Sequence, residues 1–189
     1  MRRRPSACCA RCELQEEARL FFALWPDDAA SAALDQVGGK LRTVCGGRPM
    51  RRNNIHLTLV FLGNVNMDRI DALRAVGDGI AAPSFAMTLN RLGWWRHNRV
   101  AWAAPDVVPD PLLALVNQLQ EGLRAAAFSF DERPVYAPHV TLLRNARCEE
   151  VKWPAFESLE WIASEFVLAR SVTREEGATY EAIGRWALR

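Results

Sequence analysis

The sequence predicts a single α+β domain whose two halves face each other across a cleft. Segments that alternate like strands are interleaved with segments whose apolar residues recur at helical spacing. A four-residue word, His-x-Thr-Leu, begins at His56 and again at His139, which is the pattern of a duplicated half-domain. The chain has 189 residues, 50% of them hydrophobic, which is enough for one well-packed core or two closely packed lobes.

The start of the chain predicts a strand followed by a helix. Residues 19–25 (RLFFALW) are apolar and are closed by Pro26, after which Asp27 and Asp28 supply N-capping side chains. The residues that follow place apolar side chains at helical spacing: Ala30, Ala33, Leu34, Val37, Leu41 and Val44.

The first copy of the word lies in the next predicted strand, which spans residues 54–62 and ends at Gly63. A second helix begins near Asp68, although Gly77 and Gly79 lower its helical propensity. Its apolar face consists of Ile70, Leu73, Val76 and Ile80.

The middle of the chain repeats this interleaving. Residues 84–90 and 99–103 alternate as strands, and residues 93–98 (GWWRHN) predict a turn or hairpin connection. Asp110 followed by Pro111 predicts the start of a helix, because proline is favoured at the first helical position. The buried stripe of that helix is Leu112, Leu115, Val116, Leu119 and Leu123.

The last part of the chain predicts the second histidine strand and a closing hairpin. Pro138 has no amide hydrogen, so it belongs at the start of that strand or on a sheet edge. Residues 163–170 and 179–188 predict two antiparallel strands, because the polar segment between them contains Gly177.

The repeated word contains the candidate chemical groups. Side chains alternate between the faces of a strand, so His56 and Thr58 share one face, as do His139 and Thr141. Two imidazoles can divide general acid and general base catalysis on a phosphoryl group, while the hydroxyls hold its non-bridging oxygens. The alternative, that both words are structural, is disfavoured because polar pairs at matched strand positions cost burial energy unless they are used or satisfied.

Composition excludes several classes of protein. The formal net charge of +2 is too small for a broad nucleic-acid-binding surface, so any RNA contact has to come from a local cluster of arginines. No apolar run approaches the roughly 20 residues that span a bilayer. The N-terminal segment has arginines but lacks the apolar stretch of a secretory signal. We therefore expect a cytoplasmic protein. We also expect a monomer, although composition does not determine the oligomeric state.

The cysteines favour neither a disulfide scaffold nor a metal site. There are five, an odd number, which argues against a disulfide framework. Cys8, Cys9 and Cys12 crowd the N-terminus without the further ligands that zinc requires. We expect residues 1–18 to be a disordered leader and residues 19–189 to form the domain.

Five stretches in a fixed order resemble the two-histidine (2H) phosphoesterase superfamily. They are RLFFALWP, HLTLVFLG, LGWWRHNRVAWAA, YAPHVTLLR and TYEAIGRWAL. Within the superfamily, the likeness is to the bacterial RNA 2′,3′-cyclic phosphodiesterases, also called 2′–5′ RNA ligases. It extends from about Arg19 to the C-terminus, and the ordered set is far more specific than one His-x-Thr word.

This resemblance implies a bilobal, pseudo-twofold α+β fold, in which each lobe is an antiparallel sheet with helices packed outside and a central groove holds the active site. It implies that His56 donates a proton to the 3′-oxygen, that His139 accepts one from water, and that Thr58 and Thr141 hold the phosphate. The implied reaction is metal-independent hydrolysis of 2′,3′-cyclic phosphate ends of RNA, tRNA fragments or nucleosides to 2′-phosphates, without a cofactor. From the residues alone, the acid and the base cannot be assigned, since the two words are nearly equivalent.

Arg144 has two interpretations. The resemblance places it where the family often has a basic residue after the second motif, which implies contact with the phosphate. Strict alternation directs Arg144 away from His139, because the offset of the two residues is odd. The strand must therefore end or bulge there for Arg144 to reach the phosphate; otherwise it is a surface arginine.

Two other functions are compatible with the same motifs. Ligation of RNA ends into a 2′–5′ bond is the microscopic reverse, with a ribose hydroxyl in place of water, and it needs a second RNA end held nearby. A non-catalytic RNA- or nucleotide-binding module is the other alternative. It is disfavoured because a pure binder does not need both imidazoles.

Other aromatic and basic residues also have two interpretations each. His97 can contact phosphate or lie in a solvated turn, and Arg51 and Arg52 can attract RNA or form a solvated face. Three tryptophans can stack a base or pack in the interior, and packing is the commoner role of aromatic residues: Trp94, Trp95 and Trp102.

Overall fold

An antiparallel sheet is the frame of the molecule in its computed structural model, which describes residues 16–132, 134–174 and 177–189. Strand order along this sheet is β10-β9-β1-β3-β7-β6-β5, with the short β2 paired to β7, while β4 and β8 form a separate pair. The strands are β1 (Glu17–Leu24), β2 (Arg48–Pro49), β3 (Leu57–Asn66), β4 (Phe85–Leu89), β5 (Arg91–Trp95), β6 (Val100–Ala104), β7 (Val140–Arg144), β8 (Leu159–Ala163), β9 (Glu165–Arg174) and β10 (Gly177–Ala187).

The sheet consists of two halves that meet at a single residue pair. Strands β10, β9, β1 and β3 form the first half, and β7, β6 and β5 form the second. The halves join where Leu57 of β3 is the antiparallel partner of Val140 of β7. The predicted α+β class with antiparallel sheets is confirmed, and the two sheet halves are continuous through this one pair.

In the described part of the chain, three helices pack against the sheet: α1 (Asp28–Cys45), α2 (Ile70–Asp78) and α3 (Asp110–Ala125). Helix α1 begins as predicted, because Asp27 accepts a hydrogen bond from the amide of Ala30 at 2.8 Å. It lies against β7, where Gly38 packs on Leu142. The predicted apolar face of α1 was wrong at Val44, which is exposed, whereas Cys45 is buried.

Helix α3 has the predicted buried stripe, and it begins with Asp110 and Pro111 directly after Pro109, as predicted. Helix α2 follows a 3₁₀ turn at Met67–Arg69 and ends at Asp78, so the predicted face does not extend to Ile80. Gly77 is required in α2, because a Cβ there would overlap the indole of Trp186. No helix in the described ranges has the length and apolar character needed to cross a membrane.

Two predicted boundaries were wrong. Strand β3 continues through Gly63 to Asn66; Gly63 has φ +75° and lies at a register shift, so it forms a bulge instead of an end. Gly93, which the sequence placed in a turn, belongs to β5, and the hairpin turn spans residues 96–99. The closing antiparallel hairpin is confirmed as β9 and β10.

The two apolar faces of β1 explain why residues 19–25 are apolar at nearly every position. Leu20, Phe22 and Leu24 belong to the main core. Phe21 and Ala23 belong to a second cluster on the opposite face, with residues of β9. Strand β1 begins at Glu17, two residues before the expected start of the domain, and residues 1–15 with Cys8, Cys9 and Cys12 lie outside the described residues.

Cys45 and Cys148 form a disulfide that the odd cysteine count did not predict. They are 103 residues apart in the chain, with Cα atoms separated by 4.6 Å. The end of α1 and the segment after β7 meet here, because the amide of Arg147 donates to the carbonyl of Cys45 at 2.9 Å. A count of cysteines contains no information about this tertiary contact.

Candidate active site

The two repeated words meet at the junction of the sheet halves. Leu57 and Val140 are direct partners, so alternation places His56, Thr58 and their counterparts in the second word on the other face of the sheet. Diagonal neighbours on such a face are about 7–8 Å apart in an antiparallel pair, a separation that one phosphoryl group spans. One cavity of about 530 Å³ is lined by all four residues: His56, Thr58, His139 and Thr141.

Both histidines lie immediately before their strands, since β3 starts at Leu57 and β7 at Val140. The prediction that they lie within strands was wrong by one residue. In each case the ring nitrogen Nδ1 bonds to the backbone carbonyl two residues earlier. Nδ1 of His56 is 2.7 Å from the carbonyl oxygen of Asn54, and Nδ1 of His139 is 2.9 Å from that of Ala137.

These two hydrogen bonds assign the tautomers. A carbonyl oxygen only accepts, so Nδ1 carries the hydrogen in both rings. In the neutral form, Nε2 of each ring therefore carries the lone pair that can accept a proton. The Nδ1–carbonyl hydrogen bond thus orients both imidazoles so that proton exchange takes place at Nε2.

The carbonyl that holds His56 is itself held in place. Asn54 is buried, and its side-chain amide donates to the carbonyl of Ala178 at 2.7 Å. Its side-chain oxygen accepts from the amide of Tyr180 at 3.2 Å. Asn54 thus connects the turn before His56 to β10, and the sequence contained no motif that indicated this role.

His56 is enclosed by aromatic rings. Its centroid lies 4.9 Å from that of Phe21 and 5.1 Å from that of Tyr180, and its Nε2 is 3.1 Å from the Thr58 hydroxyl. Burial lowers the pKa of His56 from 6.5 to about 4, and the charges of Arg144 and His139 act in the same direction. The hydrogen bond to the Asn54 carbonyl opposes this decrease in pKa. His56 is therefore neutral in the free protein at pH 7.

Among the described residues, the aromatic neighbour of His139 is Trp95. The ring of Trp95 meets it edge to face, with centroids 4.5 Å apart and an interplanar angle of 76°. Trp95 in turn packs on Trp102 at 5.3 Å. The tip of the β5–β6 hairpin thereby forms one wall of the cavity.

Tyr136 connects the two words. Its hydroxyl donates to the carbonyl of Thr58 at 2.9 Å, which ties the segment before His139 to the start of β3. Burial raises the pKa of the Tyr136 hydroxyl, so it remains a donor. The sequence signal for this role was weak, because a tyrosine before Pro-His is not distinguishable from a packing aromatic.

Arg144 lines the cavity and its charge acts on His56. Two adjacent residues of β6 pair with Thr141 and Leu143, so β7 has one extra residue, a bulge, before Arg144. The condition for Arg144 to return to the face of His139 is therefore met. The backbone also pairs Arg144 with Arg48 of β2 at this point.

Other candidates lie outside the cavity. His97 is exposed in the turn at residues 96–99, and Arg52 donates to the backbone carbonyl of Asp28 at 2.7 Å. The indole of Trp94 donates to the carbonyl of Ala146 at 3.1 Å, and Trp102 packs over Gly93. Trp94 and Trp102 therefore have packing roles, whereas Trp95 lines the cavity.

Comparisons with known proteins agree with this geometry. The sequence profile of the family described as "LigT like Phosphoesterase" matches residues 24–102. The chain is 33% identical to the RNA 2′,3′-cyclic phosphodiesterase of Escherichia coli (strain K12) over 179 residues, covering 93% of this chain and 99% of that protein. It is 29% identical to the enzyme of the same name from Thermus thermophilus, covering 90% of each. The crystal structure of E. coli LigT complexed with 3′-AMP matches with a TM-score of 0.82 and 32% identity, covering 92% of this chain and 99% of that one.

Proposed function

Since the chain belongs to the LigT-like phosphoesterase family, we propose that it hydrolyses 2′,3′-cyclic phosphate ends of RNA or nucleosides to 2′-phosphates. The observation that carries this proposal is the pair of imidazoles, each held at Nδ1 by a carbonyl and each lining the same cavity. Homologues with the name RNA 2′,3′-cyclic phosphodiesterase, and a homologue that binds 3′-AMP, support the class of substrate.

The reaction is an in-line attack of water on phosphorus. His139 accepts a proton from water at Nε2 as the new P–O bond forms, and His56 donates a proton from Nε2 to O3′ as the P–O3′ bond breaks. The products are a 3′-hydroxyl and a 2′-phosphate. Each histidine ends in the protonation state opposite to its starting state, and exchange with solvent restores both.

The donor role of His56 requires a protonated ring, although its pKa in the free protein is about 4. A phosphodiester anion in the cavity stabilises the imidazolium and raises this pKa when substrate binds. The low pKa in the free protein favours the reverse assignment, with His56 as the acceptor and His139 as the donor. The two assignments predict different responses to a leaving group that needs no proton, as described below.

The remaining groups hold the phosphoryl oxygens. Thr58 and Thr141 line the cavity beside the histidines, and their hydroxyls donate to the non-bridging oxygens. Arg144 adds a fixed positive charge at the same cavity. Hydroxyls and a guanidinium stabilise the developing charge without a metal ion, so we expect turnover to continue in EDTA.

Incubation with a 2′,3′-cyclic mononucleotide, with the phosphate isomer identified by chromatography or ³¹P NMR, tests the proposal. We expect the 2′-phosphate, with unchanged rates in EDTA. A 3′-phosphate product would contradict the assignment of the leaving oxygen. Tight binding without product would indicate the non-catalytic binding module.

Ligation is tested with RNA fragments, including tRNA halves, that carry a cyclic phosphate on one piece and a 5′-hydroxyl on the other. Water at about 55 M competes with the second RNA end, which must be held nearby to react. We expect hydrolysed ends to dominate. A majority of 2′–5′ linked product would make ligation the main activity.

A further inference from the structure

Four exposed arginines lie on segments that meet where β7 ends, and one of them, Arg144, lines the cavity. We call Arg48, Arg99, Arg144 and Arg147 the arginine rim. Arg48 is the direct cross-strand partner of Arg144, so the two side chains project from the same face of the sheet. The carbonyl of Arg99 accepts from the amide of Ala146 at 2.9 Å, which places Arg99 beside the segment that holds Arg147. The rim comes from three segments that are distant in sequence.

The charges of the rim are not balanced by carboxylates among the residues that the structure describes. Within the described residues, no guanidinium of the rim has an ion pair with a carboxylate. The nearest acidic residues along the chain are Glu149 and Glu150, and Glu149 pairs with Arg96 at 3.0 Å instead. Like charges on directly opposed strand residues are unfavourable in the free protein, and an anion between them relieves that repulsion.

The rim is continuous with the cavity through Arg144, which lines it. An RNA whose terminal cyclic phosphate lies between the two histidines has further backbone phosphates on the adjoining nucleotides. Outside the cavity, these phosphates are the only charged groups of such a substrate. The small net charge of +2 leaves a local cluster as the source of any RNA contact, and the rim is such a cluster.

We propose that the arginine rim binds the backbone phosphates of the nucleotides that precede the cyclic end, so that the preferred substrate is an RNA strand instead of a mononucleotide. This inference rests on the function proposed above, because that function places the strand end in the cavity. The recognition is electrostatic and independent of base sequence.

The test measures binding, so it does not depend on turnover. A short fluorescent single-stranded RNA that ends in a 2′-phosphate is titrated by anisotropy, and the matching nucleoside 2′-phosphate is measured by calorimetry. The variants are Arg48→Gln, Arg99→Gln and the double variant, with thermal melts to verify folding. Lys40→Gln is the matched control, because it removes an exposed positive charge from α1. Lys40 lies on the opposite side of α1 from Gly38, which packs on β7.

We expect the double variant to weaken RNA binding by about threefold to twentyfold and to leave the nucleoside 2′-phosphate within about twofold. The slope of log Kd against log salt for RNA decreases by about 0.7 for each arginine removed. Lys40→Gln changes neither quantity. Arg147→Gln replaces Arg99→Gln if the latter melts early, and Arg48→Lys keeps the salt slope of the wild type.

Equal RNA binding by the double variant and the wild type would overturn the proposal. An equal loss for the mononucleotide would also overturn it, because the variants would then act on the cavity. If a polyglutamate peptide of matched charge competes as well as the RNA, the rim is a site for acidic peptides instead. A protein that binds RNA at the rim but forms no product would refute the proposed hydrolysis and leave the rim supported.

Discussion

The two halves of the molecule present the same word in different surroundings. His56 lies between Phe21 and Tyr180, with its Nε2 on the Thr58 hydroxyl, and its pKa falls to about 4. His139 has the same Nδ1 anchor, but that bond is exposed and its aromatic neighbour is the edge of Trp95. A repeated motif therefore specifies how an imidazole is oriented. The elements packed around the motif decide its affinity for a proton.

The largest expected effect comes from removing either imidazole. His56→Ala and His139→Ala each lower kcat/KM for a 2′,3′-cyclic mononucleotide by on the order of 10²-fold or more, since each removes one proton transfer. Initial rates measure the loss, and circular dichroism verifies the fold. His97→Ala is the control, because His97 is exposed outside the cavity. Near-normal turnover by either folded cavity variant would exclude a paired mechanism.

A substrate with an activated leaving group separates the roles of the two halves. In a 3′-deoxynucleoside 2′-(4-nitrophenyl phosphate), the leaving nitrophenolate needs no proton. If His56 is the donor, the fold-loss of activity caused by His56→Ala is smaller on this substrate than on the cyclic one, by a factor of about ten or more. His139→Ala loses the same on both substrates. The opposite pattern would assign the donor role to His139.

The low pKa of His56 also predicts a stability change with pH. The folded protein disfavours protonation of His56, so the unfolded chain binds more protons between about pH 6.5 and about pH 4. This contribution to stability is complete above pH 6.5 and is lost as the pH falls. Between pH 7 and pH 5 we expect a loss of about 2 kcal/mol in the free energy of unfolding.

Urea denaturation of the wild type and of His56→Gln at both pH values isolates this effect from that of the other titrating groups. The variant should lose about 2 kcal/mol less than the wild type on acidification. Parallel losses in the two proteins would show that His56 is not desolvated.

The smallest expected effect concerns the link between the two words. Tyr136→Phe removes the hydrogen bond to the Thr58 carbonyl and lowers the free energy of unfolding by about 0.5–1.5 kcal/mol. Because this bond positions Thr58 relative to His139, we also expect kcat to fall about threefold to tenfold while KM changes little.

Trp94→Phe is the matched control for Tyr136→Phe. It removes the hydrogen bond to the carbonyl of Ala146, outside the cavity. Its stability should decrease similarly while kcat stays the same. If both variants keep kcat, the Tyr136 bond has only a structural role.

Many elements of the fold were predictable because their signals are local. The N-cap at Asp27, the stripe of α3 and the closing hairpin depend on residues a few positions apart, and all three were found as expected. The candidate site was also largely predictable from the sequence. The two His-x-Thr words could be paired from their repetition, and the structure brings them to one cavity.

Contacts between distant segments decided what the sequence did not show. The bulge at Gly63 follows from pairing with β1, and the Cys45–Cys148 disulfide depends on the meeting of α1 with the segment after β7. The periodicity of apolar residues indicates which face of a strand a residue occupies. It does not indicate which residue of another strand lies opposite.

From sequence alone, the chain was determined to contain two oriented imidazole–hydroxyl pairs on an α+β frame, because the motif and its strand are local properties. The tertiary structure decided that Phe21 and Tyr180 enclose His56, that Trp95 meets His139, and that the arginine rim forms beside the cavity. Desolvation and Coulomb interactions depend on distances through space, so proton affinity and charge clustering appear only when the chain is folded.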